Sequence, residues 1–305
     1  MLSRYILFIL LIPCTAISAK FISPYIVQLD DEFSPYAIIV EKSTHQLYLY
    51  KNNQGLPELV KKYQVATGKI TGLKLKEGDK KTPEGIYNIL QFRDAENLIK
   101  SYGKTGEIYG PGALTLNYPN AIDKMLNRQG SGIWIHSTDD DSRIEKGLDS
   151  RGCVVLRQKE FNDLHQYTKL KNTPVIIVQD KYYLPKENWH NKRQELIQFV
   201  DNWAMAWQEK DFETYIEHYS KSFSNARKGN YYQYRNYKRR IFRKKDKPII
   251  NFSNKTILFH NNYAVVRIKQ DYQSKFINDI GEKTLILSLD SNYNWKIIKE
   301  NWKAI

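Results

Sequence analysis

Two residues of the 305-residue chain carry most of its chemical potential, His136 and Cys153. His136 ends the short apolar run "GIWI", and Cys153 opens the aliphatic run "VVL" within "SRGCVVL". A strand ending in His, a polar loop and a strand opening with Cys can set both side chains at one edge of neighbouring strands. A thiol paired in this way performs acyl transfer. The imidazole takes the thiol proton, the sulfur attacks a carbonyl, and the proton returns to the leaving group. A free thiol titrates at about 8.5, so it needs such a base or a positive environment. Gly152 lacks a Cβ and permits a tight turn before the cysteine. The amides of Gly152 and Cys153 are then expected to hold the oxyanion. Two other readings stay open on spacing alone. Cys153 could be a buried core thiol. His136 with Asp139, Asp140 and Asp141 could bind a metal, although no second His shares a helix face with it.

The compartment bears on this chemistry. The opening "MLSRYILFILLIPCTAISAK" has one Arg before an apolar run, then the small residues Ala16, Ser18 and Ala19. That pattern predicts a signal peptide over residues 1–19, too short for a good membrane span. The expected location is the periplasm or cell envelope. Removal of the signal takes Cys14 with it and leaves Cys153 as the single cysteine of an exported protein. No internal disulfide can form, so the thiol is either inert or kept for chemistry.

Strand-like runs must position the pair. "YAIIV" and "QLYLY" flank a polar turn, a hairpin signal. "GIYNI", "GALTL", "GIWIH" and "PVIIV" read as further strands, and Phe161, Leu164 and Tyr167 mark one helix. Residues 36–180 therefore read as one mostly-β domain. "QDKYYLPKENWHN" shifts in composition and reads as a linker. Beyond it, Leu196, Phe199, Val200, Trp203 and Trp207 form a helical stripe, and Asp211 is placed to cap a second helix. Four strand candidates follow, so residues 190–305 read as an α+β domain.

These motifs together resemble the YkuD-type L,D-transpeptidase family. "GIWIH…SRGCVVL" is similar to its His and Ser-His-Gly-Cys signature. "VATGKITGLKLKEGDKKTPEGIYNI" is similar to its glycine-rich loop, and "LNYPNAIDK" to its Tyr-Pro-Asn segment. The resemblance implies an enzyme of peptidoglycan stem peptides. Its cysteine attacks the carbonyl of the diaminopimelate preceding a terminal D-alanine, and the thioester passes to water or to an amine. Cys153 falls at the nucleophile and His136 at the base. Gly152 and Cys153 supply oxyanion amides, and the Ser137 carbonyl orients the imidazole. Tyr118, Ser150 and Arg151 fall at substrate-binding positions. No cofactor or metal is implied. Ser137, Arg151 and Val155 depart from the commonest pattern, which has Gly, His and Arg there. The third departure removes an expected substrate contact.

The region opening "WAMAWQEKDFETYIEHYSKSF" resembles the cone-shaped nuclear-transport-factor-two-like fold. A YkuD-type domain followed by such a cone resembles L,D-carboxypeptidases that set cell shape. Net charge is +14, and residues 186–305 hold 23 Lys+Arg against 13 Asp+Glu. Ten of those cations fall in residues 227–247, interleaved with tyrosines. In an exported protein this suits an anionic wall or membrane surface, or a merely solvated face, better than nucleic acid. A non-catalytic wall- or anion-binding module built on this domain is the alternative to an enzyme.

Overall fold

The computed structural model describes residues 21–275 and 277–305. The signal-peptide expectation falls on residues 1–19, outside the described residues. Strands β1 (Phe21–Ile22) and β2 (Ile26–Gln28) come first. A hairpin follows, built from β3 (Tyr36–Glu41), β4 (Gln46–Asn53) and β5 (Leu56–Gln64). Next come β6 (Thr67–Gly68), β7 (Gly85–Asp94), helix α1 (Ala95–Tyr102) and a 3-10 turn over Gly103–Tyr109. Strand β8 (Gly112–Leu116), helix α2 (Ala121–Met125) and strand β9 (Trp134–His136) lead to the polar loop. After it stand β10 (Leu148–Ser150), β11 (Val154–Val155), α3 (Gln158–His165) and β12 (Pro174–Val178).

Eight of these strands form one sheet in the order β11-β9-β8-β7-β12-β3-β4-β5. Its central strands are apolar on both faces because both faces are covered. Ile38, Val40, Val175 and Ile177 point into a core roofed by Phe161 and Leu164 of α3. Ala37, Ile39, Ile176 and Val178 point the other way, against Tyr25, Ile26 and Leu258. The continuous runs "YAIIV" and "PVIIV" follow from that two-sided burial.

The second half begins with β13 (Leu184–Pro185) and the 23-residue α4 (Lys186–Gln208). Leu196, Val200, Trp203 and Trp207 face the interior of a cone. Asp211 caps α5 (Phe212–Glu217) by accepting from the Thr214 amide at 3.1 Å. Short strands β14 (Ser224–Asn225) and β15 (Gly229–Asn230) precede α6 (Tyr231–Phe242). Strands β16 (Ile249–His260), β17 (Tyr263–Gln273), β18 (Asn278–Leu289) and β19 (Trp295–Ala304) make the curled sheet. The expected architecture, a mostly-β domain followed by an α+β cone, is the one observed.

The linker expected over residues 179–191 requires correction. Tyr182 packs edge-on against Tyr25 at 5.3 Å, and β13 pairs with β1. Trp189 is 1% exposed and donates from Nε1 to the Ile26 carbonyl at 3.2 Å. Strand β2 joins the cone's sheet beside β16. The segment before residue 36 thus clasps the two halves. Tyr263 and His260 of the cone add hydrogen bonds to the Ile86 amide and the Ile177 carbonyl. The partner of the "linker" lies some 160 residues earlier in the chain, so a local change in composition could not reveal it.

Candidate active site

Parallel pairing of β9 and β11 builds the centre of the site. Val154 lies opposite Ile135 and Val155 opposite His136, so Cys153 enters at the end of the strand beside the histidine. His136 is 4% exposed, and its Nδ1 lies 2.5 Å from the Ser137 carbonyl. A carbonyl only accepts, so Nδ1 carries the hydrogen and Nε2 is left bare to receive a proton. Burial of the ring pushes its pKa down to about 4, opposed by the Ser137 bond and assisted by the Arg143 charge. Cys153 is only half-buried, yet the desolvation of its sulfur pushes the thiol up, to about 11, while the Trp134 amide, Lys74 and Arg143 pull the other way. At neutral pH the resting pair is a neutral thiol and a neutral imidazole. The thiol donates to the Gly132 carbonyl at 3.4 Å.

The turn before the cysteine departs from expectation in one respect. The Gly152 amide donates to Ser150 Oγ at 3.0 Å, and Ser150 Oγ donates to the Cys153 carbonyl at 2.6 Å. The Gly152 amide is therefore engaged, and Ser150, expected to bind substrate, ties the turn. The Cys153 amide has no partner among the described residues. Gly152 itself sits at φ +130°, where a Cβ would meet the Lys81 carbonyl at 2.7 Å. Its role here is conformational.

Tyr118, also expected to bind substrate, is 5% exposed in the sheet's core. Its hydroxyl donates to the Gln129 carbonyl at 2.8 Å, and its ring meets Tyr87 edge-on. It shapes the segment around α2, and its ring centre lies 5.9 Å from the Lys74 ammonium. Arg151 is exposed beside Gly152 and makes no ion pair among the described residues. Val155 is fully buried with Ala66 and Ile144.

Residues not singled out from the sequence complete the site. Tyr109 packs edge-on against the His136 ring at 4.9 Å and lies 5.3 Å from the Trp134 ring. Arg143 bonds Asp149 at 2.6 Å and Thr138 at 3.2 Å, and its positive charge acts on both His136 and Cys153. Lys74 pairs with Asp79 at 2.7 Å. The signal for Tyr109 was its setting in "GEIYGPG", where glycines let the chain pass close to the sheet. Gly110 has room for no Cβ, which would meet the Thr138 carbonyl at 2.7 Å.

Comparisons with known proteins agree with this geometry. The L,D-transpeptidase catalytic domain model matches residues 35–177, and the Cds6 C-terminal NTF2-like domain model matches residues 195–301. The solved structure of Bd1075 from Bdellovibrio bacteriovorus is 31% identical, with a TM-score of 0.81 over 94% of this chain and 99% of that one. The chain belongs to the L,D-transpeptidase family, in its form with a C-terminal NTF2-like domain. The helical cell shape determining protein Pgp2 from Campylobacter jejuni is 25% identical, with a TM-score of 0.72 over 92% of this chain and 95% of that one. No curated protein sequence matches the chain.

The basic stretch has two sides. Arg240, Arg243, Lys244 and Lys245 are exposed, and Arg235 and Arg239 approach Glu213. Lys238 points inward, 4.0 Å from the Trp207 ring centre, and burial pushes its pKa down to about 7. It lines a 650 Å³ cavity in the cone together with Trp207, Lys283 and Trp302.

Proposed function

We propose that the protein is an exported, cysteine-dependent acyl-transfer enzyme of peptidoglycan stem peptides that acts in cell-wall remodelling and cell shape. The observation that carries this reading is Cys153 at the end of the strand beside His136, whose Nδ1 hydrogen is fixed on the Ser137 carbonyl. The thiol swings from the Gly132 carbonyl toward His136, and Nε2 takes its proton as sulfur attacks the diaminopimelate carbonyl. The unpartnered Cys153 amide stabilises the developing oxyanion. The imidazolium then protonates the departing nitrogen, and D-alanine leaves. Water or an amine, deprotonated by the same imidazole, releases the thioester and restores the thiol. Among the relatives, Pgp2 is described as a determinant of helical cell shape, which supports the cellular role. The opening apolar segment supports export to the periplasm. The exposed cations of 227–247 support attachment to an anionic wall or membrane surface.

Incubation of the purified protein with disaccharide tetrapeptide, followed by mass spectrometry, tests the reading. Tripeptide with free D-alanine identifies a carboxypeptidase, and a cross-linked dimer identifies a transpeptidase. Unchanged tetrapeptide under conditions in which the protein is folded would reject both.

A further inference from the structure

The cations near the reacting pair differ in whether they are already committed, and Val155, two residues after the cysteine, offers no charge. Val155 is committed to a small core. Lys74 and Arg143 are each satisfied by an aspartate, Asp79 and Asp149. Arg151 also lacks an ion pair among the described residues, but it is exposed in the turn beside Gly152; Arg93 differs from all three in being flanked by two rings. It forms no ion pair with any carboxylate among the described residues. Its Nη1 donates to the Tyr102 hydroxyl at 3.0 Å and its Nη2 to Ser101 Oγ at 2.8 Å. Five guanidinium N–H groups leave further donors free.

Its position relates it to the reacting pair. Arg93 in β7 lies opposite Ala113 in β8, and Ala113 lies opposite His136 in β9. Directly opposed residues share a face of the sheet. Two strand spacings of roughly 4.8 Å separate the backbones, a span that one amino-acid residue of substrate and an arginine side chain can bridge. Rings line the interval. The guanidinium carbon is 5.3 Å from the Tyr102 ring centre and 5.5 Å from that of Trp134. Trp134 lies against Tyr109, and Tyr109 against His136. The two rings flank the half-buried guanidinium, which stays open to solvent and so to a ligand. That arrangement suits bidentate capture of a carboxylate.

We propose that Arg93, set between Tyr102 and Trp134, binds a carboxylate of the acyl donor and so determines which peptides the site accepts. The inference rests on the acyl-transfer reading above. Two carboxylates of a stem tetrapeptide lie next to the scissile bond, the terminal one of D-alanine and the one on the diaminopimelate side chain.

Binding without turnover separates these sources and also separates this inference from the reading it rests on. Full-length Cys153→Ala protein is titrated calorimetrically with free tetrapeptide, with its C-terminal amide and with its diaminopimelate amide. The series is repeated after adding Arg93→Gln or Arg93→Lys, with thermal melting as the check on folding. Arg93→Gln is expected to weaken tetrapeptide binding about tenfold to a hundredfold, and Arg93→Lys by less. One amide should bind the Arg93 protein as weakly as the tetrapeptide binds the Arg93→Gln protein, and should lose nothing further from Arg93→Gln. That amide identifies the carboxylate. If Arg93→Gln fails to fold, the same coupling is read with Arg93→Lys. Equal tetrapeptide affinity with and without Arg93, the same loss from both amides in every background, or no binding at all would overturn the proposal. A wild-type protein that releases no D-alanine, yet whose Cys153→Ala form binds tetrapeptide through Arg93, would instead sink the acyl-transfer reading alone.

Discussion

The Cys153–His136 site of the sheet domain and the interior of the cone both desolvate ionisable groups, with opposite results. At the first, desolvation dominates, so Cys153 is pushed up to about 11 and His136 down to about 4, and both rest uncharged. In the cone, Glu300 accepts from Lys283 at 2.5 Å and from the Tyr234 hydroxyl at 2.9 Å, and also bonds the Tyr219 hydroxyl. Lys283 and Lys238 hold its carboxyl down at about 2 despite burial. One site leaves proton capacity unspent, as a reacting pair requires. The other fixes its charge with partners, as a binding or structural interior requires. Burial alone does not decide the outcome; the partners supplied do.

The largest expected effect breaks the Cys153–His136 site. Cys153→Ala and His136→Ala should each lower tetrapeptide turnover by at least about 10³-fold with little change in melting temperature. Steady-state release of D-alanine checks this, and near-wild-type activity in Cys153→Ala would refute the assignment. The next effect breaks the cone. Glu300→Gln leaves Lys283 buried without its counter-ion and should cost on the order of 3–5 kcal/mol of stability, measured by denaturant unfolding. The double variant Glu300→Gln/Lys283→Met should recover part of that loss.

The third effect sharpens the comparison through pH. A histidine whose pKa falls from 6.5 to about 4 on folding stays neutral in the native state while the unfolded chain takes up a proton. Its contribution is fully present above pH 6.5 and is lost as pH falls toward 4. The magnitude is on the order of 3 kcal/mol. His136→Asn should therefore flatten the stability curve between pH 6.5 and 4 relative to wild type. Parallel curves would show that His136 is not desolvated in solution.

Much of the Cys153–His136 site was legible because its parts lie close together in the chain. The His–loop–Cys spacing maps directly onto the parallel β9–β11 pair, and the helical stripe from Leu196 to Trp207 maps onto α4. What escaped depends on hydrogen bonds and register that residue types alone do not announce. Ser150 accepts from the Gly152 amide and donates to the Cys153 carbonyl within one turn, and the Tyr118 hydroxyl donates to the Gln129 carbonyl. Arg93 reaches the site through cross-strand register, which no local pattern announces, and Tyr109 through ring packing that only its glycine-rich setting signals. Lys238 reads as one more cation in a basic run, yet α6 turns it into the cone.

That last correction reshapes the smallest predicted effect. Arg239, Arg240, Arg243, Lys244 and Lys245 replaced by Gln, with Lys238 retained, should weaken sedimentation with intact sacculi or anionic vesicles severalfold at low salt. The difference should shrink as salt rises, because exposed charges are screened beyond about 8 Å at physiological ionic strength. Hydrolysis of a small soluble muropeptide should stay near wild type. Binding unchanged at every salt concentration would leave the stretch as a solvated face.

The claim that Cys153 carries the acyl group is tested most directly by intact-protein mass spectrometry after rapid mixing with stem tetrapeptide and an acid quench. The account predicts a thioester adduct on Cys153, equal in mass to the substrate less D-alanine, formed as D-alanine appears and absent from Cys153→Ala. Turnover that proceeds with no adduct on wild type and persists in Cys153→Ala would contradict it.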